Sequence, residues 1–193
     1  MDKVVLDDLM GLPAYEKVRD RFRQEIIEYK KHRRVAIGDR VSLVFENKKT
    51  VVFQILEMMR AERITDLDKI REEIAIYNSL IPDAGELSAT LFIEIEDQSR
   101  IRDDLLRFLG IDEAVYLKIG DRYTIRAKFE PGRSKEDKLS AVQYVRFQLD
   151  ADQQAAFLSG KHRITIRIDH PNYQAEGEIG EETRKSLAED LRQ

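Results

Sequence analysis

Leu87–Glu96 reads LSATLFIEIE. Leu87, Ala89, Leu91, Ile93 and Ile95 fall on one face of a strand; Ser88, Thr90, Phe92, Glu94 and Glu96 fall on the other. A strand that alternates in this way belongs in an antiparallel sheet, with one face on a core and one towards solvent. The rest of the chain is read outward from it. Asp97 can cap a helix carrying Ile101, Leu105 and Phe108, closed by Gly110. Val115–Ile119 and Arg122–Phe129 form a hairpin across Gly120-Asp121. Glu130–Ser140 (EPGRSKEDKLS) has loop composition. Val142–Leu149 is a strand, Asp150 with Gln153 makes a capping box for a short helix ending at Gly160, and Arg163–Asp169 and Tyr173–Ile179 are strands around His170-Pro171-Asn172. A last helix carries Leu187 and Leu191. Strand–helix–strand–strand thus occurs twice, over about 87–129 and 142–179, as a duplicated β-α-β-β unit would.

Upstream of the quoted strand the pattern is mostly helical. Tyr15, Val18, Phe22, Ile26 and Tyr29 form one stripe of a helix over Pro13–Arg33. Val35–Ile37 and Val41–Glu46 read as short strands around Gly38-Asp39-Arg40. Thr50–Ile64 (TVVFQILEMMRAERI) is a second helix. Thr65 can cap a third, carrying Leu67, Ile70, Ile74, Tyr77 and Ile81 and stopped by Pro82 and Gly85. The expected fold is α+β: antiparallel sheet with packed helices and an N-terminal helical portion. Residues 1–193 read as a single domain, with a subdivision into a helical portion (1–85) and a sheet-containing portion (86–193).

Of the 193 residues, 36% are charged, and Lys+Arg (33) nearly balances Asp+Glu (37) for a net charge of −4. That balance argues against a dedicated nucleic-acid binder, which carries a basic excess. With no cysteine, cysteine-ligated zinc, iron–sulfur clusters, disulfides and a thiol nucleophile are excluded. The beginning MDKVVLDDLMGLP is acidic and lacks the apolar centre of a signal peptide, and apolar runs such as VVFQILEMM are too short to span a bilayer. These features lead to the expectation of a cytoplasmic protein.

Candidate sites are few. In the Thr50–Ile64 helix, Gln54 and Glu57 lie opposite a wide apolar arc, while Glu62 projects near Val51, Ile55 and Met58, where a carboxylate needs a partner such as Arg60 or Arg63. These three side chains form either a solvated stripe with Glu62 at a frayed end or the polar floor of a ligand or metal pocket. Glu94 and Glu96 share one strand face and pose the same choice between hard-cation chemistry and a wet surface. His32, His162 and His170 show no metal-ligand spacing. His170 stands beside Asp169, but neighbours on a strand point apart. The run Lys30, Lys31, His32, Arg33 and Arg34 is either an anion contact or a helix terminus complementing the dipole. No phosphate-loop, GxGxxG or GxSxG pattern occurs, and no residue pattern names a cofactor.

FENKKTVVFQILEMMRAERI (Phe45–Ile64), IYNSLIPDAGELSATLFIEI (Ile76–Ile95), SAVQYVRF (Ser140–Phe147), DHPNY (Asp169–Tyr173) and the LAEDL ending at Leu187–Leu191 resemble an uncharacterised bacterial domain-of-unknown-function family, number 3501. The matched segments include Gln54, Glu57, Glu62, Tyr77, Asn78, Glu94, Tyr144, His170 and Tyr173. The resemblance implies an accessory role beside rubrerythrin-like and iron–sulfur oxidoreductase proteins, in redox or peroxide handling. The leading expectation is therefore a non-catalytic binding module for a protein partner, or a homodimer. Its rival is an enzyme or metal-binding protein using Glu57, Glu62 and His170, with Glu94.

Overall fold

The structure, a computed structural model, describes residues 1–95, 97–131, 134–135 and 138–193. Glu96 of the quoted strand and positions 132, 133, 136 and 137 of the expected loop lie outside the described residues.

Helix α1 (Leu12–Lys31) leads into the hairpin β1 (Arg34–Ile37) and β2 (Val41–Glu46). Helices α2 (Lys48–Ala61) and α3 (Leu67–Asn78) follow, then β3 (Glu86–Ile93), the quoted strand. A short α4 (Ile101–Leu106) precedes β4 (Val115–Ile119), β5 (Tyr123–Arg126) and β6 (Lys128–Phe129). The segment expected to be a loop contains a small ladder of β7 (Ser134–Lys135) with β8 (Lys138–Leu139), anchored by the buried Leu139. The chain ends with β9 (Val142–Gln148), α5 (Ala151–Ser159), β10 (Ile164–His170), β11 (Tyr173–Glu178) and α6 (Glu181–Leu191).

The main strands form two antiparallel sheets, β1-β2-β3-β9-β6 and β11-β10-β4-β5. The repeated strand–helix–strand–strand pattern has a spatial counterpart. First strands β3 and β9 are neighbours in one sheet; β4 and β10 are neighbours in the other, each flanked by its own hairpin partner. The sheets meet along both edges. β5 runs on into β6 through Ala127, whose N–H still donates to the Val115 carbonyl. At the other edge β1 lies against β11, where a Cβ on Gly177 would overlap the Ala36 carbonyl oxygen. Glycine is required there because the two backbones touch. The enclosed core includes Leu43, Phe45, Leu91, Leu117, Phe147, Phe157, Ile166 and Leu187.

A second core, with Tyr15, Val51, Ile55, Leu56, Met59, Ile70, Ile74 and Ile81, joins α1, α2 and α3 to the outer face of the first sheet. This corrects the one-sided reading of β3. Its inward residues alternate as expected, but Ser88 and Thr90 on the outer face are also buried, because the helical layer lies over them. Strand pairing crosses the expected boundary near residue 85: β2 pairs with β3 from Val41↔Ile93 to Glu46↔Ser88.

Local signals shifted by a residue or two. Asp66 rather than Thr65 caps α3, accepting from the Asp68 and Lys69 amides. The Asp97 carboxylate binds Ser99, and a 3-10 turn precedes the short α4. The capping box of Asp150 and Gln153 is present, and Gly160 ends α5 with φ 68°. The β4–β5 register pairs Ile119 with Tyr123, so its loop also includes Arg122.

Candidate functional site

Among the described residues, no His, Asp and Glu side chains converge in a group of three that could hold a metal ion. The sequence candidates are instead divided among separate locks.

The first lock joins α1 to α2. Arg19 grips Glu57 bidentately, Nε to Oε1 and Nη2 to Oε2, both 2.8 Å, and Tyr15 donates to Oε1 at 2.6 Å. The Arg19 bond holds the Glu57 carboxyl below its usual value, against an opposing push from burial. Burial, reinforced by the Glu57 bond, pushes the Tyr15 phenol well above its ordinary value. Gln54, one turn earlier, is half-buried, and its amide oxygen is out of solvent with no partner among the described residues. Glu62 does not join them. α2 stops at Ala61, Arg63 turns left-handed at φ 54°, and Glu62 is an exposed cap residue. The pocket expected from Gln54, Glu57 and Glu62 is not shared by all three: Glu62 still bonds back to the Met58 carbonyl, but it stands at the open end of the helix, where its side chain is exposed.

The second lock lies at the β10–β11 hairpin. His170 is buried, with Nε2 2.7 Å from the Leu109 carbonyl and Nδ1 accepting from the Asn172 amide at 3.2 Å. These partners select the neutral tautomer that carries its proton on Nε2. Phe108 packs between His170 and Tyr173. The Tyr173 hydroxyl donates to the Ile37 carbonyl at 2.6 Å and accepts from the Arg40 amide at 3.0 Å. Its phenol is pushed up, chiefly by burial. Gly38, at φ 67°, leaves room for this hydroxyl, which a Cβ would overlap. Phe108 and Tyr173 pack on the core between the sheets, whereas Val51 and Ile55, on the helix of Glu57, pack in the helical core. The structure thus unites His170 with Tyr173 and keeps both apart from Glu57 and Glu62.

The other candidates also have structural partners. Asn78 accepts from the Val4 amide (2.8 Å) and donates to its carbonyl (3.0 Å), tying the N-terminal segment to α3. Tyr77 is half-buried beside the helical core; burial first, then Glu73, raises its phenol. Glu94 is exposed, accepts from Ser42 at 2.8 Å and lies 3.7 Å from Arg34.

Of the run Lys30, Lys31, His32, Arg33 and Arg34, expected as an anion contact, Arg33 is the correction, because it turns inward. Lys31 pairs with Glu28, and His32 is the helix cap. Arg34 begins β1 and donates to Ser42. Arg33 has 0% side-chain exposure and binds Asp190, itself 3% exposed. It also donates to the Phe45 carbonyl at 2.8 Å and to Ser186 at 3.0 Å, while Asn47 bridges Asp190 and the Tyr29 hydroxyl. A helix-terminus reading of the run misses this, because the partner lies 157 residues away.

The sequence reading also missed a pocket of about 240 Å³ on the outer face of the first sheet, where the end of α3 meets β9 and β6. Register brings its polar side chains together: Ser88 stands opposite Arg146, and Arg146 opposite Lys128. The only sequence sign was strand alternation, which puts Ser88 on that face without saying which residues stand beside it.

No curated protein matches the chain. It is similar to a novel protein of unknown function from Burkholderia pseudomallei K96243, known from a crystal structure. The two share 36% identity over 98% of this chain and 100% of that one, with a TM-score of 0.92. Residues 3–191 match the family described as protein of unknown function (DUF3501), and the chain belongs to that family.

Proposed function

We propose that the protein is a non-catalytic accessory module that binds a protein partner in a redox or peroxide-handling system. The observation that carries this reading is the commitment of the proton-handling side chains to structural bonds. Glu57 is held by Arg19 and Tyr15, and His170 is held by a backbone carbonyl and a backbone amide. Tyr173 is held by the turn it closes. A general acid or base needs a reactive group within reach of substrate and of its catalytic partner; Glu57 and His170 serve different cores instead. The kind of partner follows from the family resemblance, which implies rubrerythrin-like or iron–sulfur oxidoreductase proteins.

The test is co-expression with a rubrerythrin-like protein and, separately, with an iron–sulfur oxidoreductase, followed by native mass measurement. A stoichiometric complex with either supports the reading. A chain that associates with neither, and that reduces peroxide by itself in a Glu57- or His170-dependent way, overturns it.

A further inference from the structure

We infer that the groove on the helical layer occupied by residues 1–10 is a self-recognition site: a second copy of this chain seats its own residues 1–10 there, giving an arm-exchanged dimer. This inference is independent of the accessory-module reading.

The argument begins with how the segment is held. Among the described residues, no backbone–backbone hydrogen bond joins residues 1–10 to the rest of the chain. The bonds from the Asp8 amide to the Val5 carbonyl and from the Leu9 amide to the Leu6 carbonyl are internal to the segment. Every tie to the body has a side chain at one end. Asn78 accepts from the Val4 amide at 2.8 Å and donates to the Val4 carbonyl at 3.0 Å. Lys3 donates to the Ile81 carbonyl at 2.8 Å and to Asp83 at 2.9 Å. Lys48 pairs with Asp8 at 2.8 Å, and its amide donates to the Met1 sulfur at 3.2 Å.

This is the composition of a peptide groove. One amide, Asn78, clamps both main-chain groups of a single residue, and main-chain contacts combined with side-chain pockets are how proteins hold extended peptides. The Val4 side chain is the anchor, 2% exposed in the helical core, and Leu6, Leu9 and Met10 pack against the same core. Asp83 meets Lys3 at one end and Lys48 meets Asp8 at the other. Opposite charges at the two ends fix the direction in which the segment lies.

The joint to α1 is built to swing. Leu9 and Gly11 are both extended, and Gly11 is exposed, with nothing within 4 Å of where a Cβ would stand except Pro13 Cδ at 4.0 Å. Rotation there moves residues 1–10 as a unit without breaking a packed contact. In an exchanged pair each groove receives the sequence that it already fits, so every contact is kept and only the joint changes; exchange of an identical element is a low-cost route to a closed dimer. The three residues Leu9–Gly11 span roughly 10 Å when extended, so the two α1 helices start side by side.

The test uses the full chain in two charge-reversed forms, Asp8→Lys and Lys48→Glu, studied by native mass measurement and sedimentation. In either form alone, residue 8 meets a like charge in every groove. In a mixture, it meets an opposite charge only in the groove of the other form. A mixed dimer several-fold more abundant than either self-dimer is expected, together with a wild-type dimer whose fraction rises with concentration. Val4→Asp removes the anchor and is expected to abolish both dimers; unchanged dispersion of the amide spectrum over the two sheets checks its fold. A wild type that stays monomeric at millimolar concentration, or a mixture no more associated than its components, overturns the inference. So does a dimer that survives Val4→Asp, which places the interface elsewhere, or release of residues 1–10 from a chain that remains monomeric, which leaves the groove to a segment of another protein.

Discussion

At the residue scale, Glu57 and Tyr173 show side chains that a sequence reader assigns to chemistry serving as locks. Glu57 is ionised between Arg19 and Tyr15, with its carboxyl held below the ordinary value of 4.5 mainly by the Arg19 bond. A depressed folded-state value stabilises the protein above the unfolded value, and that stabilisation is lost as pH falls through the folded value. Glu57→Gln is therefore expected to destabilise the protein by about 1–3 kcal/mol at pH 7. The gap to wild type should close as pH drops below 4.5, and urea unfolding across that range checks it. Tyr173→Phe removes the hydroxyl that serves both the Ile37 carbonyl and the Arg40 amide. A loss of about 1–3 kcal/mol is expected, with faster hydrogen exchange concentrated at the Arg40 amide.

At the element scale, the contact to examine is the one joining the end of α1 to α6. Arg33 and Asp190 are fully desolvated and mutually dependent. Removing one partner strands a buried charge and costs about 3–5 kcal/mol, while replacing both with apolar groups restores much of the loss. Arg33→Met alone should therefore be severely destabilising and Arg33→Met/Asp190→Leu much less so, a non-additivity that a double-mutant cycle in urea measures directly. The β1–β11 edge offers a steric counterpart. Gly177→Ala places a methyl group on the Ala36 carbonyl, and the two strands must separate. The expected result is a cost of about 1–3 kcal/mol, with exchange protection lost first along β11.

At the scale of the whole molecule, the two cores are stitched together rather than merely adjacent. Sheet pairing of β2 with β3 runs across the middle of the chain, and the Arg33–Asp190 pair joins its two ends. Tyr144 reaches from β9 into the helical core. Elements coupled in this way should unfold together. Far-ultraviolet dichroism and tyrosine fluorescence are expected to give one coincident urea transition; separate midpoints would mean that the helical layer melts alone.

By itself the sequence determined what depends on near neighbours. Alternation over Leu87–Ile93, the three- and four-residue stripe of α1, the Asp150–Gln153 box and the Gly160 stop each act within a turn or a strand, and each was legible. The α+β class and the repeated β-α-β-β order followed from them. Tertiary structure alone decided what the polar side chains do. Whether the outer face of β3 is wet depends on α2 and α3 folding back over it, and whether Arg33 is a surface cation depends on Asp190 arriving from α6. Ser88, Arg146 and Lys128 become neighbours only through cross-strand register. Burial and pairing are set by residues far away in sequence, and local periodicity carries no information about them.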